Sequence, residues 1–162
     1  MNELLKNLTE AVGVSGAEKE VRLLIRDLIQ DHVDEWHVDA MGSLIALKKG
    51  TGAHDLRVMV DAHMDEVGLM VSGHSSSGML KVMAVGGLDA RILPGTRVLV
   101  GEKKTVGVIG VKPIHLGPGS GVIGIDALQV DIGASSKDAA AGKASLGTRI
   151  AFESEFLDLG AL

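Results

Sequence analysis

Apolar residues recur every three or four positions near the N-terminus of the chain, and this is the spacing of one helix face. The pattern predicts a helix over residues 2–12, which Gly13 ends. The same spacing returns over residues 17–31 and predicts a second helix there. Ser15 and Glu18 stand three residues apart just before it, which is the form of a capping box.

The pattern then changes to the short runs that are typical of strands. Residues 36–39 and 44–48 are predicted to form a hairpin around a turn at 41–43. A loop follows, and residues 56–60 are rich in residues that favour strands. Two helices, a hairpin and an apolar strand are how one edge of an α/β domain can begin.

Beyond Ser72 glycine becomes frequent and separates short apolar runs. Such spacing favours a small β-barrel or β-sandwich. A single helix is predicted over residues 136–142, with Ser135 and Ser136 as its caps. The predicted strands of this part of the chain are 80–85, 97–100, 106–111, 128–132 and 148–152.

These patterns predict a fold of the α/β plus β class in two parts. Residues 1–72 would form part of an α/β domain, and residues 73–162 a compact β domain. The first part has few strands for an independent sheet. We therefore expect it to be an incomplete, N-terminal part of a larger α/β domain.

Composition narrows the classes of function. With 162 residues, 46% apolar and 23% charged, the chain is long enough for one domain or two small ones and is not of the disordered type. Its net charge of −5 and its lack of a basic patch exclude nucleic acid as an expected partner. Because the chain has no cysteine, disulfides and thiolate metal sites are excluded.

The expected location of the chain follows from its first residues and from the length of its apolar runs. The first residues lack the features of a signal peptide, and no apolar run approaches the roughly 20 residues that span a bilayer. The expected location is cytoplasmic, without a membrane partner.

The candidate metal-binding or catalytic residues lie in the run R-V-M-V-D-A-H-M-D-E-V-G-L-M-V over residues 57–71. If this run is a strand, Asp61, His63 and Asp65 share one face. A neutral imidazole can bind a metal ion while a neighbouring carboxylate also binds it or orients the ring. The alternative is a hydrated strand end. A His and an Asp two residues apart occur often by chance, but here they follow an apolar strand, where α/β enzymes place their chemistry.

Residues 60–71, V-D-A-H-M-D-E-V-G-L-M-V, resemble the signature of the glutamyl-aminopeptidase-like metallopeptidases, also known as tetrahedral or deblocking aminopeptidases and once labelled cellulases. Other segments resemble the same family in the same order, over nearly the whole chain. They are G-V-S-G at 13–16, D-A-M-G at 39–42, V-G-G at 85–87, L-P-G at 93–95, G-V-I-G at 107–110 and D-I-G-A-S-S at 131–136. One departure is Ser43, where the family usually has Asn.

The resemblance implies an aminopeptidase that uses two divalent metal ions, zinc or cobalt. It implies that His63 is a metal ligand and that Asp65 is the catalytic-site carboxylate that supports it. Asp61 has no assigned role, and Asp126 and Asp131 are interpreted as turn or cap residues. The β domain would be a PDZ-like barrel that mediates dimerisation and assembly, up to a dodecamer.

The family's other metal ligands and its general-base Glu follow the inserted β domain. Residues 142–145, G-K-A-S, only superficially resemble the start of that segment, and no Glu-Glu pair occurs in the sequence. The remaining histidines are predicted to be surface or loop residues: His32, His37, His54, His74 and His115. We therefore expect an N-terminal portion that is inactive alone, binds one ion weakly at most, and acts on peptides only with a C-terminal half.

Two alternatives stay open at this stage. The chain can be a non-catalytic assembly module derived from the family, with its apolar strands hidden in an oligomer. It can also be a scaffold reused to bind a single ion at His63 and Asp65, although two ligands make a weak site. Whether the chain by itself is an enzyme is left undecided by the sequence.

Overall fold

The computed structural model describes residues 2–52, 56–110 and 123–160. Its α-helices are α1 (Asn2–Glu10), α2 (Lys19–Ile29) and α3 (Lys137–Lys143). Its strands are β1 (Glu35–Val38), β2 (Leu44–Leu47), β3 (Gly68–His74), β4 (Leu80–Val85), β5 (Arg97–Val100), β6 (Thr105–Gly110), β7 (Gln129–Asp131) and β8 (Arg149–Phe152). Within these ranges no helix has the length and apolar character needed to cross a membrane.

The N-terminal part contains α1, α2 and an antiparallel hairpin of β1 and β2. The Asp39 carboxylate closes the hairpin turn by accepting hydrogen bonds from the backbone amides of Met41 and Ser43, at 2.9 and 2.8 Å. The Ser43 amide makes the largest contribution to a lowered pKa of Asp39. The hairpin confirms the prediction for residues 36–48, and the turn chemistry explains it.

The predicted capping box is wrong. Helix α2 begins at Lys19, and Glu18, its N-cap residue, makes no capping hydrogen bond with its side chain. Ser15 is not the N-cap residue, and its backbone amide donates to the Glu66 carbonyl oxygen at 3.2 Å. The Ser15 hydroxyl is thereby directed toward Asp65 instead of the helix.

The predicted strand over residues 56–60 is also wrong. These residues pair with no strand in the described part of the chain. Their apolar side chains face solvent, with Leu56 81% and Val60 89% exposed. The residues favour a strand, but a strand forms only where a second strand supplies hydrogen bonds. As a result Asp61, His63 and Asp65 do not lie on one face of a strand.

Strands β3 to β8 form a closed barrel with the strand order β3-β4-β7-β6-β5-β8, in which all neighbours are antiparallel. The five strands predicted after residue 73 correspond to β4 through β8. Alternate residues of these strands point inward and are buried. The largest of the buried side chains are Leu69, Leu80, Ile109, Leu128 and Ile150.

Two details of this barrel differ from the sequence interpretation. Strand β3 begins at Gly68, so the barrel starts before residue 73. His74 belongs to β3 and not to a loop, and its Nε2 lies 2.6 Å from the carbonyl oxygen of Ala144. The α3 helix is as predicted, with the Ser136 hydroxyl accepting a hydrogen bond from the Ala139 amide.

The N-terminal part is joined to the barrel by close contacts around Val14. Val14 is fully buried and pairs with Glu66 in an isolated parallel bridge. Gly68 must lack a side chain here, since a Cβ would lie 2.6 Å from the Ile150 carbonyl oxygen and 2.7 Å from a Val14 methyl group. The junction therefore fixes residues 13–16 relative to residues 65–68.

Candidate metal site

The imidazole of His63 is held by Asp65 through one ring nitrogen. Its Nδ1 lies 2.9 Å from the Asp65 carbonyl oxygen and 3.1 Å from Asp65 Oδ1. Both oxygens only accept hydrogen bonds, so Nδ1 carries the proton. In the neutral ring the lone pair is then on Nε2, and the side chain is 85% exposed. His63 therefore presents an available metal-binding nitrogen.

The Asp65 carboxylate is held from its other side by Ser15. Its Oδ2 accepts a hydrogen bond of 2.5 Å from the Ser15 hydroxyl, and Oδ1 faces His63. The hydrogen bond from Ser15 contributes most to a lowered pKa of Asp65, and the hydrogen bond from His63 comes second. Asp65 thus remains ionised and able to accept both hydrogen bonds.

The backbone around Glu66 brings Ser15 to this position. The Glu66 amide donates to the Gly13 carbonyl at 2.8 Å, and the Ser15 amide donates to the Glu66 carbonyl. The Glu66 side chain also accepts a hydrogen bond from the Gly13 amide, at 3.1 Å. Two segments about fifty residues apart in sequence therefore meet at the candidate site.

The other acidic residues that the sequence singled out lie elsewhere. Asp61 is exposed, and none of the hydrogen bonds among the described residues joins it to His63 or Asp65. Asp131 accepts from the Gly133 amide at 2.8 Å, as expected for a turn residue. Asp126 is an exposed residue of a short 3-10 helix.

Among the described residues, no other histidine forms a cluster with His63. His32 and His37 are exposed on a 3-10 helix and on β1, and His74 is in β3. His54 and His115 lie outside the described residues. Across residues 2–52, 56–110 and 123–160, no three His, Cys, Asp or Glu side chains come together as a metal site would require.

Ser15 is a candidate site residue that the sequence predicts to be a helix cap. Its hydroxyl instead donates a hydrogen bond to the Asp65 carboxylate, fifty residues away. The G-V-S-G segment carried a signal of family resemblance, but nothing in it pointed to Asp65. Only the contact between the two segments shows the role.

Comparisons with known proteins agree with the resemblance in the signature. A family model described as M42 glutamyl aminopeptidase matches residues 42–161, and one described as AMPT matches residues 1–23. The chain is 38% identical over 161 residues to the lysyl aminopeptidase of Pyrococcus furiosus, covering 95% of this chain and 45% of that protein.

Solved structures give the same result. An aminopeptidase from the archaeon Desulfurococcus kamchatkensis aligns with a TM-score of 0.88 and 35% identity, covering 98% of this chain and 45% of that one. The Pyrococcus horikoshii TET1 peptidase, described as assembling into a tetrahedron or a large octahedral shell, aligns with a TM-score of 0.84 and 38% identity, covering 97% and 48%. The chain thus spans less than half the length of these relatives.

Proposed function

Because the chain belongs to the M42 glutamyl aminopeptidase family, we propose that it forms the N-terminal part of a metal-dependent aminopeptidase that removes N-terminal residues from peptides. The observation that carries this proposal is the geometry of His63. Its Nδ1 is occupied by Asp65, and its Nε2 remains available for a metal ion. This is how metal-binding histidines are commonly held in proteins.

In this proposal His63 is a ligand of one divalent ion, and Asp65 keeps the ring in the orientation and tautomer that ligation requires. His63 and Asp65 fit one part of such a metal centre, as a ligand and the group that orients it. A divalent ion bound there, zinc or cobalt, would supply polarisation of a carbonyl group and activation of water. Asp65 does not need to touch the ion, since both its carboxylate oxygens already have partners.

Further ligands have to come from outside the described residues. Zinc in proteins has at least three protein ligands at a catalytic site, and two ions need more. His63 supported by Asp65 supplies one of these ligands, which makes at most a weak site for a single ion. The described residues group no third candidate with them.

The exposed segment 56–60 also supports a larger catalytic domain. Its side chains include Leu56, Val58, Met59 and Val60, each exposed by three quarters or more. Contiguous exposed apolar residues of this kind mark a contact surface. We propose that residues 1–67, which precede the barrel strands, are part of a larger α/β domain whose further residues cover this segment.

For the β domain, whose strands run from Gly68 to Phe152, we propose a role in homo-oligomer formation through a PDZ-like barrel. The TET1 peptidase of Pyrococcus horikoshii is described as assembling into a tetrahedron or a large octahedral shell, and 97% of this chain aligns with 48% of that peptidase. Strand β6 presents exposed Val106 and Val108 on the outside of the barrel. A cytoplasmic location stays a prediction from the sequence.

An exchange of homologous segments tests the proposed activity. In a chimera, this chain replaces the matched N-terminal segment of the Pyrococcus furiosus lysyl aminopeptidase. We expect the chimera to hydrolyse lysyl-p-nitroanilide with added Zn²⁺ or Co²⁺, because the remaining segment completes the ligand set. The 162-residue chain alone should show no hydrolysis above the buffer rate.

The parent enzyme, assayed in parallel, is the control for the substrate and the metal. Hydrolysis by the isolated chain that depends on metal would show that further ligands are not needed. A chimera that assembles like the parent but hydrolyses nothing would contradict the proposed role of this segment.

A second candidate function is a non-catalytic assembly module, and the exposed apolar segment 56–60 favours it as well. Light scattering after size-exclusion chromatography of the isolated chain bears on this candidate. A monomer at micromolar concentration would count against it, since the exposed segment would then need no partner.

A further inference from the structure

A continuous chain of hydrogen bonds leads from the barrel to His63. Arg149, in β8, donates from Nε to the Ser15 carbonyl oxygen at 2.9 Å. The Ser15 hydroxyl donates to Asp65 Oδ2, and Asp65 Oδ1 accepts from His63 Nδ1 at 3.1 Å. The residue in the middle of this chain, Ser15, was not among the site residues predicted from the sequence.

We propose that Ser15 is a positioning residue of the metal site: its hydroxyl holds the Asp65 carboxylate so that His63 keeps its proton on Nδ1 and offers Nε2 to a metal ion. The inference rests on the proposed function, since it assumes that His63 binds a metal ion. The hydrogen bonds among Ser15, Asp65 and His63, however, are a property of this chain without any metal.

The Ser15 hydroxyl is suited to holding the Asp65 carboxylate because it can donate a hydrogen bond, which an ionised carboxylate can only accept. A carboxylate can rotate about its Cβ–Cγ bond and can turn both oxygens to water. The Ser15 hydroxyl fixes one oxygen, and the other oxygen is then left on the side of His63. A donor is required at this position, since an acceptor would repel the ionised carboxylate.

The backbone of Ser15 is itself held at both ends. Its amide donates to the Glu66 carbonyl, and its carbonyl accepts from Arg149. Arg149 is fixed in turn by a second hydrogen bond, from Nη1 to the Gly147 carbonyl oxygen at 2.9 Å. The barrel therefore takes part in setting the position of the hydroxyl, although it contributes no ligand.

Neighbouring Gly16 shows how closely the guanidinium packs on this loop. A Cβ at Gly16, whose φ is +82°, would lie 2.8 Å from Arg149 Nη2. A residue larger than glycine would push the guanidinium away from the loop. The close approach of Arg149 thus depends on glycine at position 16.

The tautomer of His63 is the most direct readout, since a merely structural role of Ser15 would not change it. Long-range ¹H–¹⁵N spectra of the 162-residue chain at pH 8, with His63→Gln to assign the signals, distinguish a proton on Nδ1 from one on Nε2. We expect the wild-type ring to hold its proton on Nδ1. Ser15→Ala should move the population toward Nε2–H, the form that free imidazole side chains prefer.

Three variants serve as controls. Ser15→Thr keeps the hydroxyl and should keep the Nδ1–H form, whereas Ser15→Val has nearly the shape of Thr without the donor and should lose it. This pair keeps the comparison valid if Ser15→Ala fails to fold. Ser72→Ala, at an exposed serine of β3, should leave the spectrum unchanged.

Zn²⁺ affinity gives a second readout in the chimera described above. We expect Ser15→Ala to weaken Zn²⁺ binding by about 10- to 100-fold, as for other groups that orient a metal-binding histidine. The proposal is overturned if folded Ser15→Ala and Ser15→Val both retain the Nδ1–H ring and wild-type affinity. Failure of the proposed function looks different: His63→Ala would then leave Zn²⁺ binding and activity intact, whatever the tautomer.

Discussion

The Gly78→Ala variant should lose about 3–5 kcal/mol of its free energy of unfolding, a loss that is exceptional for a single methyl group. Gly78 lies in the turn between β3 and β4, with a φ of +91°. An added Cβ would lie 2.6 Å from the carbonyl carbon of Ala134 and 2.9 Å from the Ser136 amide nitrogen, and closer still to the Ala134 oxygen.

These neighbours are backbone atoms, so no side chain can rotate away to relieve the overlap. The turn and the segment that leads into α3 would have to separate. That separation would disturb the contact between the β3–β4 turn and the cap of α3, where the Ser136 hydroxyl accepts from Ala139. Urea unfolding followed by far-UV circular dichroism measures the loss.

Gly95→Ala is the matched control. Gly95 has a similar φ of +84°, but among the described residues no heavy atom lies within 4 Å of the position of its Cβ. Only the backbone penalty of about 1–2 kcal/mol applies there. Equal losses in the two variants would show that the contact with Ala134 contributes nothing.

The second large effect is on activity. In the chimeric aminopeptidase, His63→Ala should lower kcat/KM by at least about 100-fold, since loss of a ligand exceeds the effect of losing a group that orients one. The variant removes Nε2, the available nitrogen of the Asp65-bound ring. Excess Zn²⁺ or Co²⁺ in the assay should restore part of the activity if the loss is one of metal affinity.

His37→Ala is the corresponding control for a histidine on the surface. His37 is exposed in β1, and its replacement should leave kcat/KM within about twofold, as expected for a surface change of at most ~0.5 kcal/mol. Wild-type activity of the His63→Ala chimera would remove His63 from the list of ligands. Equal losses in the two variants would point to damaged folding instead.

Much of the barrel was predictable from the sequence because its strands are specified locally. Residues 80–85 and 97–100 are short, mostly apolar runs of strand-forming residues between glycines, and they are β4 and β5 at the same bounds. The hairpin of residues 36–48 was predictable for a similar reason, since Asp39 supplies its own turn. The order of the strands in the barrel was not predictable, because it depends on contacts between distant segments.

Two of the predictions that the structure contradicts have one physical cause. Residues 56–60 have the composition of a strand, but pairing requires a second strand that the described residues do not supply. Ser15 and Glu18 have the spacing of a capping box, but the bridge between Val14 and Glu66 draws Ser15 away from the helix. In both cases the local preference is real, and a distant segment determines the outcome.

For the candidate site, the sequence by itself determined that His63 and Asp65 can pair, because two residues in an extended segment remain within reach of each other. It also determined the family, through motifs spread over the chain. The tertiary structure decided which ring nitrogen faces Asp65 and which hydroxyl holds the carboxylate. A hydrogen bond across fifty residues depends on how the chain packs around Val14, and no local pattern encodes that packing.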